Sequence, residues 1–154
     1  MTRINVGIKV STLTDQHLLA EHREIKRTPY RFSVRLKKKD FSGIPEKFKL
    51  GGGHELFFAD KGAYTLKRYR EIHEECKRRG FDVTDFSSSW DVYEGHGQYF
   101  NDWEPTIHAK KIISERIIER IKGQEDPCRY ESIKITKIDA IVKIKSNFVS
   151  DGNE

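Results

Sequence analysis

The stretch DKGAYTLKRYREIHEECKRRG, residues 60–80, constrains the fold of this chain more than any other. Tyr64, Leu66, Tyr69, Ile72, His73 and Cys76 fall in a roughly helical stripe. Gly80 is a natural stop, because helices commonly close on a left-handed residue. A helix with one apolar face needs other apolar faces to cover it. The rest of the chain offers them. One helix is expected to start near Thr12 or Thr14 and run through DQHLLAEHREIKR, with Ser, Thr and Asp as good caps and Asp15 at the positive end. Pro29 should end or kink it, and a second helical stretch covers PYRFSVRLKK. A long last helix follows Pro105, a fitting first helical residue, and runs through TIHAKKIISERIIERIK to Gly123 with Ile113, Ile117 and Ile121 on one face. Between these lie two loops, DFSGIPEKFKLGGGHE and the polar, aromatic DVTDFSSSWDVYEGHGQYFNDW. The expected fold is all-α, a single compact domain of three main helices with long loops. After Gly123 the composition shifts. YESIKITKIDAIVKIKSNF alternates only in part and fits either a β-hairpin or a further amphipathic segment. Residues 1–123 are thus read as the working domain, and 124–154 as an extension packed on it or trailing from it.

Composition narrows the class. The 154 residues suit one domain that buries its apolar surface without metal or disulfide support. No run approaches the ~18 apolar residues of a membrane span, and no signal peptide is visible. Cys76 and Cys128 stand alone, without a CxxC pair, which makes a reducing cytoplasm the expected compartment. HELFFAD lacks the HExxH spacing, and His96 and His108 are scattered, so no metal or other cofactor is expected. The 29 basic and 24 acidic residues leave a charge of +5. Its distribution says more. Between His22 and Lys39 lie Arg23, Lys26, Arg27, Arg31, Arg35, Lys37, Lys38 and Lys39 against the single acid Glu24. Such a block fits either a phosphate-tracking surface or a plain solvated helix face.

The first helix carries two distinct faces. Leu18, His22 and Ile25, with Leu19 beside them, make the core face, while Gln16, His17, Ala20, Arg23, Glu24 and Arg27 lie opposite. An ordinary salt-bridged surface would look similar. A second possibility involves the chain's start. A residue as small as Thr2 permits removal of Met1, which exposes an α-amine with a reference pKa of about 7.7–8.0. Nearby arginines would lower that value further. A neutral primary amine forms Schiff bases with sugar carbonyl carbons, a carboxylate stabilises an oxocarbenium-like sugar, and paired arginines clamp flanking phosphates. Those are the parts needed to remove a base from a nucleic acid and then break the strand. His54 and His17, each taken alone, read as hydrogen-bonding surface residues, and His73 as a structural one.

MTRIN followed by DQHLLAEHREIKR resembles the pyrimidine-dimer DNA glycosylase/AP lyase family, of which the endonuclease V of T-even phages is typical. The similarity continues in FKLGGGHELFFADKGAYTLKRYREIHEECKRRGF and returns in WEPTIHAKKIISERIIERI, covering about residues 1–122 with a short insertion near Gly7. The resemblance implies that Thr2 is the N-terminal nucleophile and Glu24 the catalytic carboxylate. It implies that Arg3, Arg23 and Arg27 surround the sugar-phosphate, that Gln16 and His17 contact DNA, and that Arg116 and Arg120 approach the backbone from the last helix. The implied partner is double-stranded DNA with a damaged or modified base, engaged by a monomer without cofactor or membrane. The matching end of the chain departs from the family's aromatic run. In PCRYESIK, Tyr130 is the lesion-side aromatic candidate, and Arg129 stands where a Trp is expected. Two alternatives stay open: the same chemistry on another damaged or modified base, and a DNA-binding relative without catalysis.

Overall fold

The computed structural model describes residues 4–148. It is mostly helical, with six helices where three main ones were expected, and a small two-stranded antiparallel sheet. The order is α1 (Asp15–Glu24), α2 (Arg27–Lys38), the short α3 (His54–Phe57), α4 (Gly62–Arg78), α5 (Ile107–Gly123), β1 (Cys128–Tyr130), β2 (Ile133–Ile135) and α6 (Lys137–Lys145). Thr2 and Arg3 lie outside the described residues. Among the described residues, no helix is long and apolar enough to cross a membrane.

Local chemistry sets the helix ends. The Thr14 hydroxyl caps α1 by accepting the His17 N–H at 3.3 Å. The break between α1 and α2 falls at Ile25 and Lys26, earlier than Pro29. Thr28 makes it by donating both its N–H (3.0 Å) and its hydroxyl (2.9 Å) to the Ile25 carbonyl. Pro29 then sits in the first turn of α2, where no intrahelical acceptor needs its missing N–H. Pro105 is likewise not the first helical residue of α5. It precedes the true cap, Thr106, whose hydroxyl accepts the Ala109 N–H at 3.0 Å. α4 ends as expected. Gly80 takes φ +85°, its N–H reaches the Lys77 carbonyl and the Phe81 N–H reaches that of Cys76, both at 2.9 Å.

The core is larger than a three-helix contact. The N-terminal segment runs inside it, with Ile4, Val6 and Ile8 fully buried. The polar aromatic stretch before α5 is not a solvated loop. Ser87–Tyr93 forms a 3-10 turn that buries Trp90 and Tyr93. Trp90 donates its indole N–H to the Thr65 hydroxyl (2.9 Å), and Tyr93 donates its hydroxyl to the Ala59 carbonyl (2.9 Å) while stacking on Phe32. Amphipathic aromatics of this kind bury a large apolar body once the polar tip finds a partner. Cys76 and Cys128 are free thiols and buried.

The extension after Gly123 contains both structures its sequence allowed. β1 and β2 pair as a hairpin in the register Cys128↔Ile135, Arg129↔Lys134 and Tyr130↔Ile133. α6 buries Ala140 and Ile144 and packs on α5. The two turn residues, Glu131 (φ 51°) and Ser132 (φ 68°), are both left-handed, as a tight hairpin turn requires, yet neither is glycine. Asp15 stabilises them. Its carboxylate accepts the Glu131 N–H at 2.9 Å and the Ser132 N–H at 2.7 Å, and pairs with Arg79 at 2.9 Å.

Candidate active site

Two glutamates one turn apart on α1 have opposite surroundings. Glu21 is buried, and its carboxylate is saturated. Arg68 donates to it from Nε (2.9 Å) and Nη2 (3.0 Å), and Asn5 from its side-chain amide (2.8 Å) and its backbone N–H (3.2 Å). Arg68 also donates to the Ile8 carbonyl at 2.6 Å. Burial and the adjacent Glu21 anion act on Arg68 in opposite directions, and the anion prevails, holding its guanidinium charged. Glu24 differs. It is half-buried at the end of α1, and no described residue hydrogen-bonds to its carboxylate. A carboxylate in a concave site with no donor among the described residues is available to a ligand.

That concavity is lined by Asn5, His17, Ala20, Glu21, Glu24, Ile117 and Arg120. The fold thus brings together His17, Glu24 and Arg120 from two helices, and adds Asn5 from the N-terminal segment. Ala20, one turn before Glu24, leaves space over the helix. His17 is oriented by Thr14, whose hydroxyl lies 2.8 Å from its Nδ1. Arg23 and Arg27 are exposed one turn apart beside Glu24. Arg116 sits a turn before Arg120 on α5, exposed and 3.6 Å from Glu119. Arginine suits such a rim, since its fork matches phosphate oxygens.

Two further predicted residues are engaged in packing. Gln16 donates its side-chain amide to the Pro127 carbonyl (2.8 Å) and accepts the Arg129 N–H (3.1 Å), fastening the hairpin to α1. The Tyr130 hydroxyl donates to the Ser11 carbonyl at 2.7 Å, and its ring meets the Arg79 guanidinium at 4.3 Å and the Lys143 ammonium at 4.1 Å. His54 is not a surface residue. It is buried, accepts the Ile4 N–H at Nε2 (2.9 Å), and its Nδ1 lies 3.1 Å from the Lys49 carbonyl, which fixes the proton on Nδ1. His54 and Glu21 therefore clamp the chain at Ile4 and Asn5, immediately after the residues that open it.

Sequence reasoning passed over Asn5, Glu21, Arg68 and His54. A signal existed for two of them. Glu21 lies within the Leu18, His22, Ile25 stripe, and Arg68 lies midway between Tyr64 and Ile72. An acid and a base intruding on two apolar stripes predict that the two helices meet through a buried ion pair. A wider cleft is lined in part by Gly7, Tyr64, Lys67, Asp102 and Trp103, with Lys67 paired to Asp102 at 2.9 Å.

A family model described as pyrimidine dimer DNA glycosylase matches residues 1–88. The match carries Asn5, His17, Ala20, Glu21 and Glu24, and ends before α5 and the hairpin. The chain belongs to the pyrimidine dimer DNA glycosylase family.

Proposed function

We propose that this chain excises the 5′ base of a cyclobutane pyrimidine dimer and then nicks the strand as an AP lyase, working as a monomer on duplex DNA in the cytoplasm. The α-amine of Thr2, exposed by loss of Met1, attacks C1′ of the deoxyribose. The glycosidic bond breaks, and Glu24 stabilises the cationic sugar as it develops. The amine gives one proton to the departing base, the C1′–O4′ bond opens with O4′ taking another proton, and the resulting imine links enzyme and ring-opened sugar. Removal of a C2′ proton, by Glu24 or a water it positions, drives β-elimination of the 3′ phosphate. Arg3, Arg23, Arg27 and Arg120 neutralise the flanking phosphates. No step needs a metal or an organic cofactor.

The observation that carries this reading is the contrast between Glu21 and Glu24. One carboxylate is saturated and anchors the N-terminal segment; the other faces the same hollow without a donor among the described residues. Asn5, which lines that hollow together with Glu24, follows Thr2 by three positions in the sequence, and this supports assigning the amine to Thr2.

The test is a borohydride trap on abasic and UV-irradiated duplexes, using protein whose N-terminal mass shows Met1 removed. A covalent protein–DNA adduct is expected on both. Its absence on both substrates overturns the amine mechanism. A second reading, the same chemistry on another damaged or modified base, is favoured by one observation: Tyr130, the aromatic candidate for lesion contact, is held by Ser11, Arg79 and Lys143. Excision from a panel of lesion-bearing duplexes separates the two.

A further inference from the structure

The hairpin places two cations directly opposite each other. In its register Arg129 pairs with Lys134, and both side chains are exposed. The alternate residues turn the other way: Cys128 is buried, Tyr130 and Ile135 are half-buried, and Ile133, next to the turn, stays exposed. The ribbon therefore has an inner face packed on the protein and an outer face whose central cross-strand pair is basic on both strands. Like charges directly opposite destabilise a hairpin, and opposite charges there would stabilise it. Neither residue forms an ion pair with a described acid, although Glu125, Asp126, Glu131 and Asp139 lie near in sequence. Of these, Glu131 is paired with Arg78. An uncompensated cationic pair of this kind is the arrangement an external anion would complete.

Its position supplies the anion's identity. Gln16 accepts the Arg129 N–H and holds the Pro127 carbonyl, so the ribbon is fixed to α1 one turn before Ala20, which lines the candidate site. From the other side, α5 carries Arg116 and Arg120 and leads through Gln124–Pro127 directly into β1. The ribbon's basic pair is thus tied through Gln16 to the helix whose Ala20 and Glu24 line the hollow, and it follows α5 in the chain after the exposed acids Glu125 and Asp126.

We infer that Arg129 and Lys134 form a phosphate-contacting site that extends the DNA footprint beyond the catalytic hollow, with the hairpin as its rigid support. The inference rests on the glycosylase reading, because it takes the polyanion to be duplex DNA. Arg129 and Lys134 are binding residues here and touch no reacting atom.

The experiment measures binding of a fluorescein-labelled, undamaged DNA duplex by anisotropy across a salt series, with excision assayed in parallel. Each phosphate contact removed should lower the slope of log K against log salt by about 0.9. The double variant Arg129→Ala/Lys134→Ala is expected to lose about 1.8 from the slope, with affinity at 0.15 M salt weakened on the order of tenfold. Arg129→Glu guards against a folding artefact, since it faces Lys134 with an opposite charge and favours the hairpin. It should match or exceed the wild-type unfolding temperature while binding DNA more weakly. Unchanged slope and affinity in both variants, with wild-type binding and excision intact, overturn this site alone. A wild-type chain that neither binds duplex with salt dependence nor excises a base overturns the glycosylase reading, and this site with it.

Discussion

At the scale of single residues, the outcome turns on which carboxylate is available. Glu24 accepts no hydrogen bond from a described residue, so removing its charge strands no donor among residues 4–148. Glu24→Gln is therefore expected to fold normally and to bind duplex DNA. It should lose about 10²–10⁴-fold in single-turnover base excision, the range a positioned acid–base group contributes. Gel-shift affinity and excision rate measured on the same preparation check both halves. Glu21→Gln should do the reverse of a clean active-site change. It leaves Arg68 as a buried, uncompensated cation, and breaking such a pair from one side costs about 3–5 kcal/mol. Urea unfolding should show that loss directly. A Glu21→Gln protein of wild-type stability would show that the Arg68–Glu21 pair does not anchor the N-terminal segment. The sequence made Glu24 visible through its arginine neighbours. It hid Glu21, because a charge on an apolar stripe looks like noise until the facing helix is known to carry its partner.

Among elements, the hairpin shows how a distant residue replaces local turn chemistry. Left-handed backbone at Glu131 and Ser132 costs roughly 1–2 kcal/mol per residue without glycine. Nothing in YESIK announces a tight turn, which is why periodicity left a hairpin and an amphipathic segment equally open. The deciding contact comes from Asp15, over a hundred positions earlier, which accepts both turn N–H groups and also holds Arg79. Asp15→Ala should therefore loosen β1 and β2 before it unfolds the helices, with amide hydrogen exchange rising selectively at residues 128–135. Ser132→Gly relieves the turn's own strain and should be neutral or stabilising by up to ~1 kcal/mol, read as a rise in unfolding temperature. Helix positions, by contrast, followed from stripes and caps. Their boundaries did not, at both prolines, because a proline in a first turn and a proline before a cap leave similar sequence traces. The 3-10 turn at Ser87–Tyr93 was illegible for another reason: its Trp90 and Tyr93 are buried only because Thr65 and Ala59 accept their polar tips.

For the whole molecule, the packing of α1 on α4 couples stability to pH through a histidine the sequence placed correctly on the core face. His22 is buried, lies tilted against Tyr69 and Phe86, and shares a 3.0 Å contact between its Nε2 and His73 Nδ1. Burial, chiefly, and then the neighbouring His73 and Lys26 hold its pKa below the ordinary 6.5; Asp85 acts weakly the other way. A contact this short between two ring nitrogens needs one donor and one acceptor, which a doubly protonated pair does not supply. The sign follows from proton counts. Below about pH 6.5 the unfolded chain binds a proton at His22 that the folded chain resists, so stability is full above that pH and falls as pH drops through the folded value. The nearby acids Glu75 and Asp85 have their own pKa values pushed down, by hydrogen bonds from Arg78 and Ser87 respectively, so their contribution is lost only at more acidic pH. The interval from pH 7 to pH 5 thus sets these carboxylates aside and leaves the histidines, among which the His22 variant separates its own share. Urea unfolding at those two pH values should show the wild-type protein losing stability on acidification. In His22→Gln, which keeps a polar partner for His73 but does not titrate, the loss should shrink. An equal loss in both proteins would place the acid sensitivity elsewhere in the fold.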